Sequence, residues 1–162
     1  MKKDFKIRKA IPSDSKSIHE VILAAFEEYR WFYSSDGFED TVMSEDLVLK
    51  RMKDMTIFVA IDKKGKAIGT IGWKKLDDEE GHIRGMAVHP LWQGKNSPAS
   101  ALLNAVEKDA VLKKCRFLSL DTTEVLQRAQ YFYKKHQFKE SGKIGDFYGS
   151  KIIEYIKYLS VK

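Results

Sequence analysis

Apolar residues recur along this chain in two rhythms, every second position where a strand is expected and every third or fourth where a helix is. Phe5 and Ile7 alternate with charged neighbours and predict a first strand, after which Ile11-Pro12-Ser13-Asp14 offers an N-cap. Ile18, Val21, Ile22, Ala25, Phe26 and Tyr29 then share one face of a helix. A second helix is predicted over residues 44–53. The β-rich runs 56–61 and 67–73 flank the turn Asp62-Lys63-Lys64-Gly65 and read as a hairpin. A short strand over 83–88 stops at His89-Pro90, a polar turn follows, and a helix beginning near Pro98 carries apolar positions 102, 103, 106 and 110. Residues 117–120 predict a fifth strand and 124–136 a helix. Residues 138–141 and 152–159 form a closing hairpin. The loop 142–150 is expected to be long and flexible, either closing over a substrate or merely joining two strands.

Strands separated by helices, followed by an antiparallel end, predict a mixed α/β (α+β) domain with one central twisted sheet. A chain of 162 residues with 43% hydrophobic content suits one domain over residues 1–162. Its three prolines fall at element boundaries, and no linker or repeat divides it. The start, Met-Lys-Lys-Asp-Phe-Lys-Ile-Arg, leads into a strand pattern rather than an apolar signal segment, and no apolar run approaches membrane-spanning length. Cys115, the single cysteine, favours a reducing compartment. A cytoplasmic protein with no membrane partner is the expectation.

Charge changes the picture only modestly. Lys and Arg outnumber the acids 29 to 23, giving +6, which suits a polyanionic partner. Nucleic acid would fit that charge, but the basic residues are scattered and no recognition motif accompanies them, so no nucleic-acid partner is expected. The acidic turn 76–81 reads as a solvated loop, and no metal site is supported. Cys115 has basic neighbours but no partner for nucleophilic catalysis, so a core or near-surface thiol is expected.

The informative stretch is the strand, basic turn and helix start over residues 82–110. Free backbone N–H groups and the positive end of the helix dipole converge on the turn, and Lys95 adds a full charge, so the natural ligand is a phosphate. Met-Ala-Val-His-Pro-Leu-Trp-Gln-Gly-Lys, followed by Ala-Leu-Leu-Asn-Ala-Val-Glu, resembles the acetyl-CoA motif of GNAT family N-acetyltransferases. A second similarity lies at Leu120-Asp121-Thr122-Thr123-Glu124 and along 129–138, which looks like the family's fifth strand and fourth helix. The resemblance covers most of the chain and implies a single-domain GNAT fold, with a central mixed sheet flanked by helices and the fourth and fifth strands splayed around the pantetheine arm.

The resemblance also implies residue roles. Acetyl-CoA would lie against backbone groups of Met86, Ala87 and Val88, with its diphosphate on Gln93, Gly94, Lys95, Asn96, Ser97, Ala99 and Ser100. Tyr133 stands where the family places a tyrosine beside the CoA sulfur, as proton donor to the leaving thiolate. His82 occupies the position of the strand glutamate that serves histone-modifying members as general base, and an imidazole can do that work near neutral pH. Glu79, Glu80 and Glu124 are fallback bases. The aromatic run Trp31, Phe32 and Tyr33 lies in the region that often borders the acceptor, local packing being the alternative. Three positions depart from the pattern: Asn96-Ser97-Pro98-Ala99 replaces the usual glycine turn with one extra residue, Gln137 stands for a glycine, and Leu126 for an asparagine.

Two readings follow. The first is an N-acetyltransferase that moves the acetyl group of acetyl-CoA to a primary amine of a small molecule or peptide by direct attack, a homodimer being compatible with it. The second is a GNAT-fold module with weak or no catalysis, acting as a CoA sensor or partner-binding protein.

Overall fold

In the computed structural model, which describes residues 4–160, both apolar rhythms resolve into regular elements. The strands are β1 (Lys6–Lys9), β2 (Thr56–Ile61), β3 (Ala67–Lys75), β4 (Glu80–Val88), β5 (Phe117–Thr123), β6 (Lys139–Phe147) and β7 (Ser150–Tyr158). The helices are α1 (Ser15–Phe26), α2 (Ser35–Thr41), α3 (Glu45–Asp54), α4 (Ala99–Leu112) and α5 (Gln127–Lys135). The seven strands make one sheet in the order β1-β2-β3-β4-β5-β7-β6, antiparallel throughout except for the parallel pair β4–β5. The charged start Met1-Lys2-Lys3 lies outside the described residues.

The alternation of β2 shows how the two layers arise. Ile57 and Val59 face Ile18, Val21 and Ile22 of α1 and Val48 of α3, while Phe58 and Ala60 face the opposite cluster with Leu102, Leu103 and Val106 of α4. Strands covered on both faces read as continuous apolar runs, which is why β3 is buried from Ala67 to Trp73 and becomes exposed only at Lys74 and Lys75. Each fully buried Leu or Ile side chain contributes about 1.5–3 kcal/mol relative to exposure. The indole N–H of Trp73 donates to Asp109 Oδ2 at 3.0 Å, so the largest buried ring carries no unpaired polar atom.

Several elements differ from the sequence expectations, each for a local reason. Asp14 holds the N-cap position of α1, as expected, but its side chain makes no capping hydrogen bond to that helix. It ends a short 3-10 turn, and its buried carboxylate takes the Arg8 guanidinium at 2.7 and 2.9 Å and the Ile11 N–H at 2.8 Å. After the aromatic run, where no helix was expected, lies the short helix α2, whose N-cap Ser34 accepts the Gly37 N–H at 3.1 Å. Ser44 likewise caps α3 by accepting from Leu47 N–H. The expected loop 142–150 is mostly strand: Gly142, at φ +94°, absorbs a register shift between Glu140 and Ile144, and β6 continues to Phe147. What remains is the two-residue turn Tyr148-Gly149, with φ +50° and +89°, the backbone that a tight hairpin requires. The fifth strand runs on to Thr123, and α5 accordingly starts at Gln127, three residues after the expected 124.

Candidate active site

The parallel ladder between β4 and β5 is short. Only Glu80–Phe117, Gly81–Leu118 and His82–Ser119 pair, although β4 continues to Val88 and β5 to Thr123. Backbone groups on the facing edges beyond His82 therefore have no partner strand and look into the gap between them. Gly85, at φ +72°, sits at the bulge where the β3–β4 register shifts. The gap opens into a cleft of about 1320 Å³. Typical small-ligand pockets hold about 300–1,000 Å³, so this one has room for an elongated ligand and a second reactant.

One end of the cleft is the turn that follows β4. Gly94 and Asn96 take left-handed backbone, φ +84° and +66°, so asparagine fills a conformation usually left to glycine. The Ser97 N–H donates to the Gly94 carbonyl at 3.2 Å, and the Ala99 N–H donates to Ser97 Oγ at 3.1 Å. Pro98 is the N-cap of α4 rather than its first residue, and the first α-helical bond runs from Leu102 N–H to the Pro98 carbonyl at 2.9 Å. Amides of Ser100 and Ala101 thus lie in the first turn ahead of the first α-helical hydrogen bond, at the positive end of a helix of 14 residues.

Side chains from α5 complete this end. Gln93 donates from Nε2 to the Val88 carbonyl at 2.9 Å and accepts from the Arg128 guanidinium at 2.8 Å, which brings a second cation to the turn. His136 Nδ1 lies 2.9 Å from the Phe132 carbonyl and must donate to it, so a neutral ring accepts the Ser100 hydroxyl at Nε2, 3.0 Å away. Gln93, Gly94, Asn96, Ser97, Ala99 and Ser100 line the cleft together with Met86, Ala87 and Val88. Lys95 is exposed and stands outside the lining among the described residues.

The middle of the cleft carries the titratable groups. Tyr133, on the inner face of α5, is 7% exposed and donates its hydroxyl to Met86 Sδ at 3.2 Å, a weak acceptor. Burial pushes its phenol far above the usual range, so it keeps its proton at any physiological pH. His82 alternates along β4 with Ile83, which packs into the cluster that holds Tyr133, so its side chain leaves the sheet on the opposite face, where it too lines the cleft. Its Nδ1 lies 2.8 Å from Ser119 Oγ, directly across the parallel ladder, and its Nε2 lies 3.9 Å from Asp121 Oδ2. Burial lowers the imidazole pKa below its ordinary value, against the opposing pull of Asp121 and Glu80. Burial likewise raises Asp121, which His82 partly offsets.

At the far end Tyr33 lines the wall, its hydroxyl 2.8 Å from Thr123 Oγ1 and its ring edge-on to Phe147 at 6.5 Å. Tyr29 joins it. Trp31 and Phe32, grouped with Tyr33 by sequence, are 90% and 60% exposed and lie outside the lining among the described residues. Arg84 and Arg51 share the Asp40 carboxylate, at 2.8 and 3.5 Å, on the opposite wall. Of the fallback bases, Glu80 accepts the Ser119 hydroxyl. Glu79 is half exposed beside Arg116, and neither Glu79 nor Glu124 lines the cleft among the described residues. Sequence reasoning missed Arg128, His136, Ser119 and Asp121. Arg128 and His136 bracket Tyr133 on α5 and its end, but no local signal marks them, because their partners Gln93 and Ser100 come from the turn and from α4.

Comparison with known proteins agrees with this geometry. The family model described as "Acetyltransferase (GNAT) family" matches residues 19–138. Among solved structures, an acetyltransferase from Streptococcus agalactiae superimposes with a TM-score of 0.76 at 18% identity, over 96% of this chain and 98% of that one. The PaiA N-acetyltransferase from Thermoplasma acidophilum, solved in complex with coenzyme A, gives a TM-score of 0.79 at 21% identity, over 93% and 98%. A GNAT family acetyltransferase from Elizabethkingia anophelis with acetyl-CoA bound gives 0.65 at 17% identity, over 96% and 98%. No curated protein sequence matches significantly.

Proposed function

The chain belongs to the acetyltransferase (GNAT) family, and from that premise we propose that it acetylates a primary amine of a small molecule or peptide by direct attack within the β4–β5 cleft. It is an acetyl-CoA-dependent N-acetyltransferase. Residues present in the cleft fit the co-substrate. The turn 93–100 with Arg128 suits a diphosphate, the unpaired strand edges suit an amide-bearing arm, and a buried phenol stands at the inner end. Acetyl-CoA, when bound, supplies an activated thioester and a thiolate leaving group.

The chain's own groups handle the rest. Backbone N–H groups near Met86, Ala87 and Val88 hold the carbonyl oxygen, an interaction worth about 3–4 kcal/mol where negative charge develops. Tyr133, kept protonated by burial, delivers a proton to the leaving sulfur and regains one from the amine nitrogen, which sheds its second proton as the amide forms. His82, kept neutral by burial, first accepts a proton from the acceptor's ammonium, which frees the amine lone pair for attack. Tyr33, with Thr123 and Phe147, flanks the acceptor. Residues 1–162 act as one domain on this reading. Direct attack is favoured over an acetyl-enzyme because Cys115 is fully buried, its thiol pushed up by burial, and it lies outside the cleft lining.

The observation that carries the proposal is that one cleft collects the anion-binding turn, the buried phenol of Tyr133 and the imidazole of His82. Calorimetry with acetyl-CoA, followed by CoA release against a panel of primary amines, tests it. Binding with amine-dependent release is expected. Tight binding with no release for any amine would point to the non-catalytic sensor.

A further inference from the structure

Beside the cleft, His82 is held by a chain of hydrogen bonds that fixes which of its nitrogens bears the proton. Glu80 and His82 leave β4 on one side, two residues apart, and Ser119 on β5 is the parallel partner of His82. The Ser119 hydroxyl, fully buried, donates to Glu80 Oε2, because an ionised carboxylate can only accept. Its single proton is thereby committed, so across the 2.8 Å contact with His82 it must accept. Nδ1 therefore carries the hydrogen. In the neutral ring that leaves the lone pair on Nε2, and Nε2 is the nitrogen turned toward Asp121, which lines the cleft.

We propose that Ser119 and Glu80 are positioning residues that lock His82 as the Nδ1–H tautomer, with the Nε2 lone pair presented to the acceptor amine. This rests on the reading of His82 as general base. When the ammonium N–H bond breaks, the new bond forms at Nε2. The imidazolium keeps Nδ1–H on Ser119, and no proton travels along the chain to Glu80. Water takes the proton from Nε2 after product leaves. Charged groups facing the ring are Glu80 and Arg84 on β4, Asp121 on β5, Glu154 on β7 and Lys74, its partner on β3. The strand ends are pinned as well: the Glu79 carbonyl accepts from the Arg116 and Phe117 N–H groups, which sets the β4–β5 register that brings serine opposite histidine.

Long-range ¹H–¹⁵N correlation of the imidazole, above the pH at which it titrates, reads the tautomer directly. Wild type should show Nδ1–H. Ser119→Ala should lose that preference, lower kcat by roughly tenfold or more within the ~10²–10⁴ that a general base supplies, leave the KM for acetyl-CoA unchanged, and displace the acid limb of the pH profile. Ser119→Thr, which keeps the hydroxyl, should restore the tautomer and most of kcat. Glu80→Gln keeps an acceptor but removes a charge, so the tautomer should persist while the acid limb moves to lower pH. An Nε2–H signal in wild type, or a Ser119→Ala protein with unchanged tautomer, kcat and profile, would overturn the proposal while leaving His82 as base. If His82→Ala instead keeps full kcat and profile, the base assignment itself falls, and the catalytic meaning of the lock falls with it whatever the tautomer.

Discussion

Replacing Tyr133 by phenylalanine removes one oxygen from the centre of the cleft and leaves the ring. The ring packs edge-on to Phe132 and Phe138 at 5.4 and 5.5 Å, contacts that phenylalanine preserves. The lost hydroxyl donates to a thioether, and Met86 sulfur is too weak an acceptor to be costly when unpaired. Folding stability should therefore change by about 1 kcal/mol or less. Catalysis should suffer more. A general acid is worth ~10²–10⁴ in rate, and thiolates leave readily, which places the expected loss near 10²-fold, about 2.7 kcal/mol of barrier. CoA release at saturating amine measures kcat, calorimetry measures acetyl-CoA affinity, and a thermal melt monitors folding. The expected result is a hundredfold drop in kcat with Kd for acetyl-CoA within about threefold of wild type. A kcat within twofold of wild type would refute the role of Tyr133 as proton donor, and an equal loss of affinity and kcat would make it a binding residue.

His82→Ala should flatten the acid limb of kcat/KM. The imidazole pKa is lowered by burial, so wild-type activity should hold through the ordinary imidazole range and fall only at more acid pH, and a limb unchanged in the variant would transfer the proton elsewhere. Arg128→Ala should weaken acetyl-CoA binding by about tenfold and Lys95→Ala by much less, since Arg128 lines the cleft and Lys95 does not; the reverse order in calorimetry would misplace the diphosphate. Gly94→Val should loosen acetyl-CoA binding as well, because a β-branched residue at φ +84° costs roughly 1–2 kcal/mol and disturbs the turn; an unaltered Kd would mean the turn does not hold the ligand. Gln137→Gly should raise stability by about 1 kcal/mol in denaturant unfolding, since Gln137 ends α5 at φ +70°; no gain would show that its side chain offsets the strain.

How far the sequence could be read depended on whether a feature is local. The strand–turn–helix of residues 82–110 shows in its periodicity, and Asn96 and Gln137, standing where glycines are usual, do adopt left-handed backbone. Tyr133 was legible from the resemblance and from its place on a helical face. Elements that rest on a single residue's geometry were not. Gly142 bends β6 without ending it, and a glycine in a polar run reads as a loop until its register is seen. Seven residues with a glycine inside are too few for a helical rhythm, so α2 was hidden. Arg128 and His136 look like ordinary polar residues because their partners, Gln93 and Ser100, are 35 and 36 positions away. Ser119 reads as a strand filler between two leucines, and only the parallel register with β4 sets it between His82 and Glu80. The aromatic run 31–33 shows the limit of composition, since one of its three rings lines the cleft while Trp31 and Phe32 point to solvent.

The most direct test of acetyl transfer by direct attack is a single-turnover experiment with labelled acetyl-CoA and enzyme in excess, followed by mass spectrometry of protein and acceptor. With acetyl-CoA alone the account predicts no burst of CoA and no mass added to the protein. On adding the amine, one CoA should appear for each N-acetyl product. A stoichiometric CoA burst with an acetyl group left on the protein would contradict it.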